Sequence, residues 1–409
     1  MWKKKVLYIS VIFILIFNML GIVYADDELE DFLEDEELNQ SVSVSSESTD
    51  EPIINSRIAI IYDRKSGRVI WGKNENKRVA MASTTKIMTC IIVLENSNLN
   101  DEVIVSSKSA GTGGSRLGLK KGDKITINDL LYGLMLRSGN DAAVALAEHV
   151  GGDKEGFAKL MNDKVKELGL KDTHFVTPHG LDDPEHYTTA FELAKIADYA
   201  LKNEKFAKIV ATKDCTININ GYSKQLTNTN ELLGYLQGVN GVKTGFTNNA
   251  GRCLVTSVNR NNFEIITVVL GADTKKIRTS DSIKLIEYAY KNYKYINVED
   301  MVKEKFEAWK GINEKRIEVE KGKYAKVQLG LKEIKNKVIP IKNDSIDNVD
   351  IQINSLYYLV APVEEGMVIG NLKVTLNDEV LEVIDIVNKN EIEKKNRKDY
   401  FFEFLKSIY

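Results

Sequence analysis

Apolar residues along this chain alternate between two spacings, and each change of spacing marks an element. Arg57 to Asp63 and Arg68 to Trp71 are short β-rich runs around Lys65-Ser66-Gly67, which predicts a hairpin. From Ser83 to Asn96 the apolar positions Ile87, Ile91 and Leu94 fall on one helical face. Ser109 to Gly122 is Gly-rich and reads as a loop. Asn128 is the expected cap of a helix to about Arg137. Further helices are expected over Asn140 to Val150, Gly156 to Gly169 and Ala190 to Lys202. β-rich runs return at Gly241 to Phe246, Arg252 to Asn259 and Phe263 to Gly271, with Asn/Gly-type turns between them, a meander. Ser280 to Tyr293 reads as a closing helix. Strands at both ends of a helical middle predict an α/β (α+β) fold. One antiparallel sheet would be built from both ends of residues 53–295, with helices on its faces.

Beyond Val298 the pattern shortens. Alternating strands separated by turns predict a small β-sandwich-like domain over residues 298–387, with little helical periodicity. Residues 388–409 are basic at first and then carry Tyr400, Phe401, Phe402, Phe404, Leu405 and Ile408. They read as an amphipathic helix that associates with a membrane surface.

The other end of the chain predicts export. Trp2-Lys3-Lys4-Lys5 precedes a run from Val6 to Val23 that is apolar apart from Tyr8, Ser10 and Asn18. Val23-Tyr24-Ala25 suits signal-peptidase cleavage, so residues 1–25 read as a signal peptide, with an uncleaved anchor as the alternative. Residues 26–52 hold twelve acidic groups and no basic one, an acidic spacer too polar to pack. That stretch hides the mildly basic balance of the rest within a net charge of -3. Such a balance suits an anionic matrix or lipid surface. No concentrated basic stripe with interleaved aromatics is present, so no nucleic-acid partner is expected. Cys90, Cys215 and Cys253 are expected as free thiols.

The candidate chemistry lies in three short motifs, Ser83-Thr84-Thr85-Lys86, Ser138-Gly139-Asn140 and Lys243-Thr244-Gly245. A spacing of three puts Ser83 and Lys86 on one helical face, as nucleophile and base. Lysine serves as a base near neutral pH when burial and a second cation, here Lys243, lower its pKa. Ser138 can pass a proton, and Asn140 can bind a carbonyl, although both residue types also serve as helix caps. Gly245 lets a substrate approach the strand. The N–H groups of Ser83 and Phe246 can form an oxyanion hole. His174, His179 and His186 lie close together, but serine chemistry needs no metal or cofactor, and none is expected.

These motifs resemble the low-molecular-weight penicillin-binding proteins, which are serine-type D-alanyl-D-alanine carboxypeptidases. The context Met81 to Thr89, the loop Pro178 to Ala190 and the strand pair after Gly245 share the resemblance, which spans about Ile53 to Tyr293. It implies the serine β-lactamase/transpeptidase sandwich. It implies that Ser83 is acylated by peptidoglycan stem peptides ending in D-Ala-D-Ala and by β-lactams. Lys86 would be the base, and Ser138, Asn140 and Lys243 would complete the proton and binding network. Thr244 would meet the substrate carboxylate. Arg278 follows the strand ending at Gly271, where the resemblance implies a carboxylate-binding arginine; Arg252 is the alternative. Phe246 departs from relatives with a polar residue there. Two rival readings are a β-lactamase, for which Glu185 is the only glutamate in the loop, and a non-catalytic wall-binding scaffold.

Overall fold

The computed structural model describes residues 51–324 and 326–408, so the expected signal peptide and nearly all of the acidic spacer lie outside the described residues. Two compact units result. One takes the described residues up to Tyr62 together with Val69–Tyr288, and the other takes Asp63–Arg68 with the described residues from Ala289 onward.

The first unit is built on a five-stranded sheet. Its strands are β1 (Ile58–Asp63), β2 (Val69–Lys73), β3 (Val239–Thr247), β4 (Gly251–Arg260) and β5 (Phe263–Ala272), in the order β2-β1-β5-β4-β3. The first strand of this sheet in chain order thus lies beside the last, as the pattern of strands at both ends of residues 53–295 predicts. β4 and β5 are buried almost throughout, which is why they read as near-continuous apolar runs. β3 forms one edge and, among the described residues, pairs with β4 alone, in register Gly245 to Cys253 and Phe246 to Arg252.

Helices α1 (Lys86–Asn96), α2 (Ile127–Leu136), α3 (Asn140–Gly151), α4 (Lys154–Glu167), α5 (Ala190–Leu201) and α6 (Lys275–Asn292) accompany the sheet. α1 is apolar on every side and buried from Lys86 to Val93, the signature of a central helix. It starts later than expected, because residues 82–85 form a 3-10 turn ahead of it. α2 is capped by Thr126, whose hydroxyl accepts from Asp129 N at 3.1 Å, and Asn128 sits inside the first turn. α6 begins five residues before the expected Ser280. Thr274 Oγ1 accepts from Ile277 N and starts the helix there, which puts Arg278 in the first turn.

The second unit has its own apolar core and corrects one expectation. Val298–Asn313 is a helix, α7, and not the start of a strand-only region. Val298, Val302 and Phe306 recur at helical spacing and are buried, and Asn297 caps Asp300 N. A four-stranded antiparallel sheet follows, ordered Leu329–Leu331, Glu379–Asn388, Val368–Leu376, Val349–Ser355. The tail helix α8 runs over Arg397–Ile408, not from residue 388, because Asn388 and Ile392 are fully buried in this unit. Asn396 and Asp399 cap α8 reciprocally. Among the described residues, no helix is long and apolar enough to cross a membrane. The three cysteines are free, and burial pushes the Cys253 thiol up to about 11.

Candidate active site

The Ser83 turn is held in an unusual backbone state. Ala82 takes φ +49 and Ser138 takes φ +58. Among the described residues, the other non-glycine positions with positive φ are Asn or Asp except Lys321. Left-handed backbone costs an alanine or serine about 1 kcal/mol or more, so the surroundings must impose it. At Ala82 they do. His186 Nδ1 accepts from Val176 N at 2.9 Å, which leaves the proton on Nε2. Nε2 donates to Thr85 Oγ1 at 2.8 Å, and that hydroxyl donates to Ala82 O at 2.8 Å. Gly180, at φ +87, packs so closely that a Cβ there would lie 1.9 Å from Ala82 O.

In a 3-10 turn, side chains three apart eclipse, which brings Ser83 and Lys86 together. Lys86 is fully buried, and its Nζ lies 2.8 Å from Ser83 Oγ. It donates to Asn140 Oδ1 at 2.7 Å and to His179 O at 2.9 Å. Asn140 Nδ2 donates to Gly113 O at 2.8 Å, which fixes the orientation of the amide. Asn140 opens α3, while the cap is Gly139, so its side chain is spent on Lys86 and not on the helix end.

Both carbonyl partners of Lys86 can only accept. A neutral amine would give them its two N–H groups and turn its lone pair toward Ser83 Oγ. This is the arrangement a serine needs to lose its proton.

Sequence reasoning missed the supports of this core. Asp141 is buried and accepts from the backbone N–H groups of Leu117, Gly118 and Leu119, so it anchors the Gly-rich loop beside Asn140. Its adjacency to Ser138-Gly139-Asn140 was the available signal. His179 and His186 brace the site through hydrogen bonds. Burial, with the Lys86 charge second, lowers the pKa of His179 to about 3. Burial lowers that of His186 to about 4, so both rings are neutral.

Lys243, Thr244 and Gly245 lie on the edge strand β3. A Cβ on Gly245 would sit 3.0 Å from Ser83 N and 3.1 Å from Thr84 N, so glycine lets this strand reach the serine turn. Thr84 N donates to Met81 O, while the Ser83 N–H lies ahead of the first bond of the turn and suits a developing oxyanion. Lys243 is buried and donates to Thr244 O at 3.0 Å. Thr244 Oγ1 is 2.7 Å from Thr229 Oγ1. The Arg252 guanidinium stacks on the Phe246 ring, 3.9 Å from its centroid. Arg278 is buried and bonded to Glu231 Oε1 at 2.8 Å. A cavity of about 610 Å³ elsewhere on this unit, lined by Arg57, Lys77, Arg78 and Tyr187, contains none of the motif residues.

Comparison with known proteins agrees with this chemistry. Residues 45–274 match the D-alanyl-D-alanine carboxypeptidase family, and residues 308–394 match the C-terminal domain of penicillin-binding protein 5. The chain is 34% identical to the D-alanyl-D-alanine carboxypeptidase DacF of Bacillus subtilis, over 88% of this chain and 90% of the relative. It is 31% identical to DacC of Escherichia coli, over 86% of this chain and 87% of the relative. Penicillin-binding protein 5 of Haemophilus influenzae superposes with a TM-score of 0.70 at 29% identity, covering 85% of this chain and 100% of that one. With a family match over more than half its length and relatives aligned along most of it, the chain belongs to the serine-type D-alanyl-D-alanine carboxypeptidases, hydrolases of the penicillin-binding class.

Proposed function

We propose that this chain is an exported enzyme that removes the terminal D-alanine from peptidoglycan stem pentapeptides through an acyl-enzyme on Ser83, and that penicillins acylate the same serine. The observation that carries the reading is Lys86 Nζ, 2.8 Å from Ser83 Oγ and also donating to the carbonyl oxygens of Asn140 and His179. Ser83 Oγ attacks the carbonyl of the penultimate D-alanine, and its proton passes to Lys86. Negative charge on the carbonyl oxygen is met by the N–H groups of Ser83 and Phe246. Ser138 relays a proton to the departing amine, the peptide C–N bond breaks, and D-alanine leaves. Water then hydrolyses the ester and regenerates Ser83.

β3 is an edge strand, the position at which a stem peptide can lie as an added strand. Lys243, Thr244 and Arg278 are the groups for its carboxylate. Export rests on the pattern of residues 1–25. Attachment to a membrane surface rests on α8, where the aromatic side chains of Tyr400, Phe401, Phe402 and Phe404 are exposed.

Slow release of penicillin is favoured over β-lactamase turnover. Glu185 is exposed and, among the described residues, is held through its backbone, accepting at O from His174 Nδ1 and donating from N to Asp183. The test uses a fluorescent penicillin and a stem pentapeptide. A stoichiometric burst with an adduct on the Ser83 peptide is expected, along with D-alanine release that disappears in Ser83→Ala. Rapid multiple turnover of the penicillin would support a β-lactamase instead. Equal inertness of wild type and Ser83→Ala toward both compounds would support a scaffold.

A further inference from the structure

Arg278, assigned above to the substrate carboxylate, already holds one. Its Nη2 donates to Glu231 Oε1 at 2.8 Å. The Thr279 hydroxyl donates to the same oxygen, and Lys275 Nζ lies 3.3 Å from Oε2. Two cations and a hydroxyl therefore surround one internal carboxylate. Arg278 Nε is buried and has no partner among the described residues, so the guanidinium fork is only partly satisfied.

Glu231 is brought there by a segment fastened to the edge strand. Thr229 Oγ1 meets Thr244 Oγ1 at 2.7 Å, and Asn230 Nδ2 donates to Gly241 O at 3.1 Å. The pair thus sits beside Lys243-Thr244-Gly245. The two partners differ in freedom. The Arg278 side chain is 4% exposed and the Glu231 side chain is 27% exposed, so the glutamate has a path to water and the arginine does not. Burial raises the Glu231 pKa, but the charges of Arg278 and Lys275 together with the hydrogen bonds from Thr279 and Arg278 outweigh it and hold the carboxyl below its ordinary range. Near neutral pH the occupant is an anion.

We propose that Glu231 is a built-in competitor for the substrate's C-terminal carboxylate, which must displace it from Arg278 in order to bind. Glu231 is then a specificity-determining residue. It weakens the hold on every carboxylate-ended peptide and narrows the preference for a free acid over a neutral end. The inference rests on the carboxypeptidase reading of the site.

The experiment compares KM for a peptidyl-D-Ala-D-Ala acid and its C-terminal amide in wild type and Glu231→Gln. Replacing one charged hydrogen bond without competition corresponds to about tenfold. The expected result is an acid KM about tenfold lower in Glu231→Gln, with the amide KM little changed. Glu231→Asp, which keeps the charge, should fall between. An unchanged ratio of acid to amide overturns the proposal. So does a higher acid KM in Glu231→Gln, which would make Glu231 an orienting support for Arg278. If Glu231→Gln does not fold, Thr279→Val decides, since it loosens Glu231 and leaves Arg278 in place. It should lower the acid KM by a smaller factor, and no change in that ratio overturns the proposal. Failure of wild type to release D-alanine would instead overturn the carboxypeptidase reading, so the two failures are distinguishable.

Discussion

Lys86 meets the oxygens of Ser83, Asn140 and His179, and of these that of Ser83 can give it a proton. Asn140 Oδ1 and His179 O are obligate acceptors that hold the amine in place. Asn140→Ala should therefore cut the penicillin acylation rate about 100-fold or more through lost proton-transfer geometry. It should cost about 1–3 kcal/mol of stability, because Gly113 O also loses its donor. Stopped-flow acylation and thermal unfolding read the two effects, and an unchanged acylation rate would remove Asn140 from the network. Gly180→Ala should destabilise the fold by about 3 kcal/mol or more, since its Cβ would collide with Ala82 O in a left-handed backbone. A melting temperature equal to wild type would contradict that packing. Ser83 and Lys86 were legible because three-residue spacing is a local property. Glu231 was not, because it lies 47 residues before Arg278 and belongs to no local pattern.

Among the elements, the loop from Pro178 to Ala190 acts as a brace. Its His186 ring links Val176 N to the hydroxyl that secures the Ala82 turn. The pKa values of His179 and His186 are lowered to about 3 and about 4, from 6.5. Below pH 6.5 the unfolded chain takes up protons that the folded chain refuses. Stability should be full above that pH and fall as pH drops toward 3 to 4. The His186 contribution is up to about 3 kcal/mol. Melting curves across pH 7 to 4 should therefore be flatter for His186→Gln than for wild type. Parallel curves would show that this ring does not resist protonation. Most of the first unit's elements were readable from spacing alone, and their ends were less so. α2 starts at Thr126's cap and α6 at Thr274's, because caps depend on which hydroxyl reaches a free N–H. α7 was missed although Val298, Val302 and Phe306 carry its period, because β-rich runs dominate the residues that follow.

For the whole molecule, the tail is the feature with a consequence beyond the catalytic unit. Tyr400, Phe401, Phe404, Leu405 and Ile408 share one side of α8 and are exposed. Removing residues 397–409 should release the enzyme from membrane fractions under conditions that retain the full chain. Equal extraction of the two forms by salt and by detergent would remove the anchor from the proposal. The sequence by itself determined which chemistry is present and in what order: a serine, a lysine three residues on, a Ser-Gly-Asn turn and a Lys-Thr-Gly strand. It also determined that strands from both ends of residues 53–295 accompany a helical middle, because periodicity and turn residues act over a few neighbours. Only the tertiary structure decided what those residues touch. It brought Asn140 and the His179 carbonyl to Lys86 across 54 and 93 residues, and set Gly245 of the edge strand against the serine turn. It also closed Glu231 onto Arg278. Such contacts arise when buried polar groups must find partners as the sheet and helices pack, and no local pattern records which partner will be near.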